Sequence, residues 1–153
     1  MAVVQDNLNH LSFKRREDAD GRVWVQCRFS VDGVKNTPGM VVVKASAGAD
    51  AIGYHFADLA DNTQYFMVGV PNKTQAVDTT DWIQIGGQVT SMIVQSDSYV
   101  LGYGVVVSGG VCDSTGAAYA NTRSEFAVAM AASSSSTDVK ACLIPREVHQ
   151  GDD

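Results

Sequence analysis

The chain has 153 residues, a formal net charge of -6 and a pI near 4.8. That is the length of one domain, long enough to bury a core without metal or disulfide staples. The acidic balance excludes the basic face that a nucleic-acid backbone needs, and no stretch is long and apolar enough to span a bilayer.

Charged residues make up 18% of the chain, below the usual quarter. A low-charge surface rich in Ala, Ser, Gly and Val suits a protein packed against others, and equally a small β domain with a polar, uncharged surface. The start, Met1 to Asp6, has no basic segment followed by an apolar one, so it does not read as a secretory signal. Cys27, Cys112 and Cys142 are odd in number and form no CxxC pair. Reduced, buried thiols are the expectation, with a Cys112–Cys142 bridge as the alternative.

In chain order, residues 1–12 read as an extended N-terminal arm in which Val3, Val4, Leu8 and Leu11 are the apolar positions. Phe13 to Gly21 is the most charged stretch: Lys14, Arg15 and Arg16 precede Glu17, Asp18 and Asp20. It reads either as a solvated turn closed by Asp20-Gly21 or as a polar contact patch. Arg22 to Val31 alternates cleanly. Val23, Val25, Cys27, Phe29 and Val31 fall on one face; Arg22, Trp24, Gln26, Arg28 and Ser30 fall on the other. Trp24 on the polar face points either to an interface or to packing under a loop. Asp32 to Gly39 is turn-rich, and Met40 to Ala45 is a strand. Ala47 to Ala60 is ambiguous, with apolar residues at helical spacing weakened by Gly48 and Gly53, so a short helix is an alternative here. Tyr65 to Val70 is a strand ended by Pro71-Asn72, and Lys73 to Asp81 is a polar connection.

Trp82 to Asp113 reads as several short strands joined by glycine turns. They are Trp82–Ile85, then Val89–Val94 after Gly86-Gly87, then Tyr99–Val107 after a polar turn at Gln95–Ser98. Ser108-Gly109-Gly110 turns the chain into Val111-Cys112. Beyond a loop at Ser114–Gly116, Phe126 to Ala132 is apolar on both sides and reads as a buried strand or a short helix. Ser133–Ser136 reads as a flexible loop, Val139–Ile144 as the last strand, and residues 146–153 as a polar, acidic tail. The expected fold is all-β and mainly antiparallel, a small β-barrel or β-sandwich over residues 13–145.

The sequence offers no catalytic constellation. His10, His55 and His149 are scattered, with no HxH or HExxH, and there is no GxSxG elbow, P-loop or GxGxxG. Asp50, Asp58, Asp61, Asp78 and Asp81 would need the fold to pair them before they did acid–base work. Loop aspartates more often form turns. The reading is therefore no enzyme, no catalytic residue, no metal and no cofactor.

Two stretches carry a resemblance. WIQIGGQVTSMIVQSDSYVLGYGVVVSGGVCDSTGAAY from Trp82, then FAVAMAASSSSTDVKACLIPRE from Phe126, resemble the small β-rich proteins that decorate the heads of tailed bacteriophages, also called cement or head-stabilising proteins. The likeness lies in the Gly-x-Gly and valine hairpin of Val100 to Val111, and in the Ala-rich run, small-residue loop and final strand of Phe126 to Ile144. It covers the C-terminal half of the chain.

The resemblance implies a non-enzymatic virion protein, made in the host cytoplasm, that sits on the outer capsid surface. It would bind the phage major capsid protein and stabilise its lattice, commonly as a homotrimer, with no nucleic acid or membrane as partner. Avidity would make modest contacts sufficient, and the arm would add a strand to an exposed capsid edge. On this reading the capsid contacts are Val3, Val4, Leu8, Leu11, Lys14, Arg15, Arg16, Glu17 and Asp18. The subunit contacts are Trp24, Arg28 and Trp82. The alternatives are another phage structural module, such as a head-fibre base or tail protein, and a carbohydrate-binding β-sandwich using Trp82 beside Asp81 with Tyr103.

Overall fold

The structure is a computed structural model that describes residues 13–45, 52–60, 67–120, 122 and 125–145. The arm positions Val3, Val4, Leu8 and Leu11 and the tail at 146–153 lie outside the described residues. The chain is all-β. Its strands are β1 (Arg15–Glu17), β2 (Val23–Phe29), β3 (Gly39–Ala45), β4 (Ile52–Ala57), β5 (Met67–Pro71), β6 (Thr80–Tyr99), β7 (Tyr103–Ser108), β8 (Val111–Ala118), β9 (Ala127–Ala129) and β10 (Ser133–Leu143).

Five strands close a small barrel in the order β2-β4-β3-β5-β6, with β6 returning to pair with β2. Every pairing in it is antiparallel except β2 with β4. Closure removes the sheet edges, and a barrel this small is filled by its own side chains. Val25, Cys27, Phe29, Val41, Phe56, Ile83 and Ile85 fill it, with the Phe29 and Phe56 rings 5.0 Å apart. The alternation seen at Val23 to Phe29 is therefore the inward face of a barrel stave.

The second unit is an antiparallel sheet in the order β6-β10-β9-β7-β8, curled over a core of Met92, Tyr99, Val105, Phe126, Ala129 and Leu143. Strand β5 joins the two cores. Its Met67 packs in the barrel while Val68 and Val70 pack in the second core. That is why its sequence is apolar throughout rather than alternating. Gly69 faces the barrel interior against Ile83 and Val41, with no room for a Cβ.

Four sequence expectations need correction. Ala47 to Ala60 contains β4 and not a helix, and among the described residues there is no helix. Pairing on both sides, with β3 and with β2, overrides the helical spacing. The segment Trp82 to Tyr99 is one strand, not two strands and a turn. Gly86-Gly87 bends it instead of ending it, because Gly87 takes φ +84°. Residues 80–86 pair with β2 in the barrel and residues 87–99 with β10 outside it. The serine run belongs to β10, where Ser133 pairs with Tyr99 and Ser136 with Asp97. Three register shifts along that ladder erase the period-two pattern that would have marked it. Ser114–Gly116 likewise lies within β8 rather than in a loop.

Candidate functional site

The charged turn at Lys14 to Gly21 is the hairpin that joins β1 to β2. The Gly21 amide donates to the Asp18 carbonyl at 3.0 Å, and Gly21 takes φ +84°. This hairpin sets β1 beside β2 as an edge strand, with Arg16 directly opposite Trp24 in register. The Arg16 guanidinium carbon lies 4.5 Å from the Trp82 ring centroid and 5.4 Å from that of Trp24. Both distances are within cation–π range. Trp24 Nε1 donates to Asp18 Oδ2 at 2.8 Å. One arginine is thus stacked on two indoles, and one of those indoles is pinned by a carboxylate from the same hairpin.

Candidates that the sequence divided between two surfaces therefore meet on one. Arg16, Asp18, Trp24 and Trp82 form the patch, and Lys14, Arg15 and Glu17 are exposed around it. Trp24 is only 5% exposed, its ring covered by Arg16 and Asp18 of the β1–β2 hairpin. Arg28 follows Trp24 and Gln26 on the outer face of β2 and pairs with Asp78 at 3.6 Å, an exposed ion pair that adds little to stability. A row of exposed charge over aromatic area, on an edge strand with one partner strand among the described residues, is suited to protein contact. Arginine and tryptophan are the side chains enriched there.

The other candidates dissolve as chemistry. Asp81 accepts from the Trp82 amide at 2.7 Å and faces Lys73 Nζ at 3.2 Å, which makes it a strand-end staple. Asp78 is taken by Arg28, and Asp50 and Asp61 lie outside the described residues, as do His10 and His149. His55 is buried, with Nδ1 3.3 Å from Ser30 Oγ. Among the described residues no cluster of three His, Cys, Asp or Glu is placed to hold a metal. All three cysteines are free thiols. Burial pushes the Cys27 thiol up, and burial, then the neighbouring Asp113, pushes Cys112 up to about 12. Neither offers the thiolate that a nucleophile needs. Tyr103 packs against the second core, and the Trp82 face is occupied by Arg16, so no sugar-stacking platform joins them.

Glu125 was not legible as important. Its carboxylate is buried and accepts from the Ala120 amide at 3.0 Å, the Thr122 amide at 3.0 Å and the Thr122 hydroxyl at 2.7 Å. Thr122-x-x-Glu125 is the spacing by which a carboxylate reaches back to a turn, which was the available signal. Gly104 lies against this carboxylate too closely to carry a Cβ.

A cleft of 440 Å³ opens between the barrel and the second unit. Leu59, Val94 and Cys112 line it and Ile93 and Val111 stand at its mouth.

No family model matches the chain, and no curated protein sequence matches it. Among solved structures, the N base of the head fibre protein gp8.5 of bacteriophage phi29 superposes with a TM-score of 0.46 and 12% identity. The match covers 84% of this chain and 99% of that one. Superposition at that level says nothing of function.

Proposed function

We propose that the protein is a non-enzymatic structural component of a phage virion, which binds the major capsid protein on the outer capsid surface and stabilises its lattice. The observation that supports this most is the Arg16–Trp24–Trp82 stack. It holds a charged group still before any partner arrives, which lowers the ordering cost of docking. The decoration-protein resemblance of Trp82 to Ile144 supplies the class of partner. Arg15, Arg16 and Lys14 would meet carboxylates on the capsid, with residues 1–12 adding a second contact and several copies around one axis adding avidity.

Purified protein is incubated with capsids assembled without it, and bound copies are counted after sedimentation. Arg16→Glu is expected to bind tenfold more weakly or worse, at about 1.4 kcal/mol per factor of ten, with the fold intact. Removal of residues 1–12 is expected to weaken binding further. Wild-type affinity in both variants would overturn the assignment. Electron microscopy of the labelled particle then separates the neighbouring readings. Copies across the lattice support decoration, whereas copies confined to isolated sites assign the chain to a fibre base.

A further inference from the structure

The barrel has an internal twofold. Gly33 and Gln75, 42 positions apart, form an isolated bridge in which each amide donates to the other's carbonyl at 2.8 Å. The same shift relates the contacts around that bridge. The Asn36 amide donates to the Pro71 carbonyl, and the Asp78 amide to that of Phe29. The Lys35 amide donates to Thr74 Oγ1, and the Val77 amide to Asp32 Oδ1. Asn36 and Asp78 each take φ +66°, and they are the non-glycine residues with positive φ among the described residues. The strand ladders obey the same relation. Gln26 faces Trp82 and Cys27 faces Asp81, as Val68 faces Met40 and Gly69 faces Gly39. Strands β2 and β3 with their loop are thus one copy of a unit, and β5 with the barrel part of β6 is the other. Strand β4 is an addition between β2 and β3.

The twofold carries one outer face of the barrel onto another. Gln26, Arg28 and Trp82 correspond to Val68, Val70 and Met40, while the counterpart of Trp24 lies outside the described residues. The two faces meet different surroundings. Val68 and Val70 are buried among residues of β6, β7, β9 and β10, so a sheet grips that face. On the other face Gln26 and Arg28 are half-buried, and the Arg16 guanidinium lies over Trp82. A face that never parts from its cover is apolar, whereas one that meets water before its partner keeps polar groups. Among the described residues no carboxylate pairs with Arg16, and Asp78, the partner of Arg28, has a side chain 75% exposed. Both cations are therefore placed to meet an incoming negative group.

We propose that the Gln26–Arg28–Trp82 face docks a β-sheet of the capsid protein, laid on it as the chain's own second sheet is laid on Val68 and Val70. Carboxylates of that sheet meet Arg16 and Arg28, and Trp82 is the aromatic anchor between them. The capsid protein as partner rests on the function proposed above. The twofold supplies the kind of surface that the partner presents, and the two cations supply its charge. Arg28 and Trp82 thereby become partner contacts rather than contacts between subunits.

The test is photo-crosslinking on capsids assembled without the protein. The full chain carries p-benzoylphenylalanine in place of Thr80, an exposed residue opposite Arg28 in register. After irradiation the adducts are mapped by peptide mass spectrometry onto the capsid protein. They are expected on β-strand residues that neighbour aspartate or glutamate. Arg28→Glu is expected to bind at least tenfold more weakly with the fold intact, since its exposed ion pair adds little to stability. Circular dichroism verifies folding, and Arg28→Ala replaces Arg28→Glu if the latter is misfolded. Lys140→Glu reverses an exposed charge on β10 and is expected to bind as wild type does. Adducts confined to helices or loops, wild-type binding by the Arg28 variant, or an equal loss in Lys140→Glu would overturn the proposal while capsid binding by the wild type stands. A wild type that binds no capsids overturns the capsid reading, and this proposal with it.

Discussion

Cys27, Tyr99 and Cys112 hold protons that their surroundings make hard to remove. Burial alone raises Cys27; burial, then Asp113 and Asp97, raises Tyr99; burial, then Asp113, raises Cys112 to about 12. In the unfolded chain the thiols release protons near 9.0, the ordinary value, while the folded chain retains them. Between these limits the unfolded state binds fewer protons, so stability falls as pH rises. The stabilisation is complete below about pH 9 and is lost progressively toward 12. Thermal melts are expected to be flat from neutrality to about pH 8.5 and to fall with increasing slope above 9, with Cys112→Ala falling less steeply than wild type. A melting temperature independent of pH through this range would refute the account. The sequence marked the cysteines as reduced and buried. It did not mark Tyr99, which looked like the start of a strand and is instead a core residue whose hydroxyl has no partner among the described residues.

Strand β6 crosses from the barrel to the second sheet at Gly87. A Cβ there would lie 2.9 Å from the Arg22 Cα and 2.9 Å from the Gly21 carbonyl oxygen, on top of the cost of φ +84°. Gly102 takes a similar φ of +91° in the turn between β6 and β7, with nothing near it. The two positions therefore separate backbone conformation from crowding. Gly102→Ala is expected to cost about 1 kcal/mol from the left-handed conformation alone. Gly87→Ala is expected to cost roughly 3 kcal/mol or more, because neighbouring backbone has to move as well. Equal losses of chemical stability in urea would show that the β1–β2 hairpin yields freely at this point. The same residue explains where the sequence stopped being informative. Gly86-Gly87 is a reliable mark of punctuation, yet a bend and an end leave the same mark in sequence, and only the ladders with β2 and β10 distinguish them. Residues Val23 to Phe29 were legible because one face is apolar and fills the barrel, while Gln26 and Arg28 on the other are polar and half-buried. Strand β9, three residues paired with β10 on one side and β7 on the other, is too short and too uniformly apolar to show a period and left helix and strand open. The patch at Arg16 was legible as charge. Its stacking on Trp82 was not, since that depends on a pairing between β2 and β6 some sixty residues apart.

A barrel and a sheet do not make two independent units when two strands belong to both cores. Strand β5 gives Met67 to the barrel and Val68 and Val70 to the second core, and β6 is continuous through both. Opening the second unit would expose Val68 and Val70 on a strand that the barrel still needs, and opening the barrel would leave β6 residues 80–86 without β2. Each unit thus raises the cost of unfolding the other, which is the condition for a single transition. The chain supplies its own probe. Both tryptophans, Trp24 and Trp82, lie on the barrel, whereas backbone circular dichroism reports on all ten strands. Denaturation followed by tryptophan fluorescence and by circular dichroism is expected to give one midpoint and one slope. Val68→Ala, which sits in the second core, is expected to lower the fluorescence midpoint by as much as the dichroism midpoint, for a loss of about 1–3 kcal/mol from the cavity it leaves. A fluorescence midpoint untouched by Val68→Ala would mean that the barrel stands alone, and that the surface carrying Arg16 is mechanically separate from the sheet formed by β10, β9, β7 and β8.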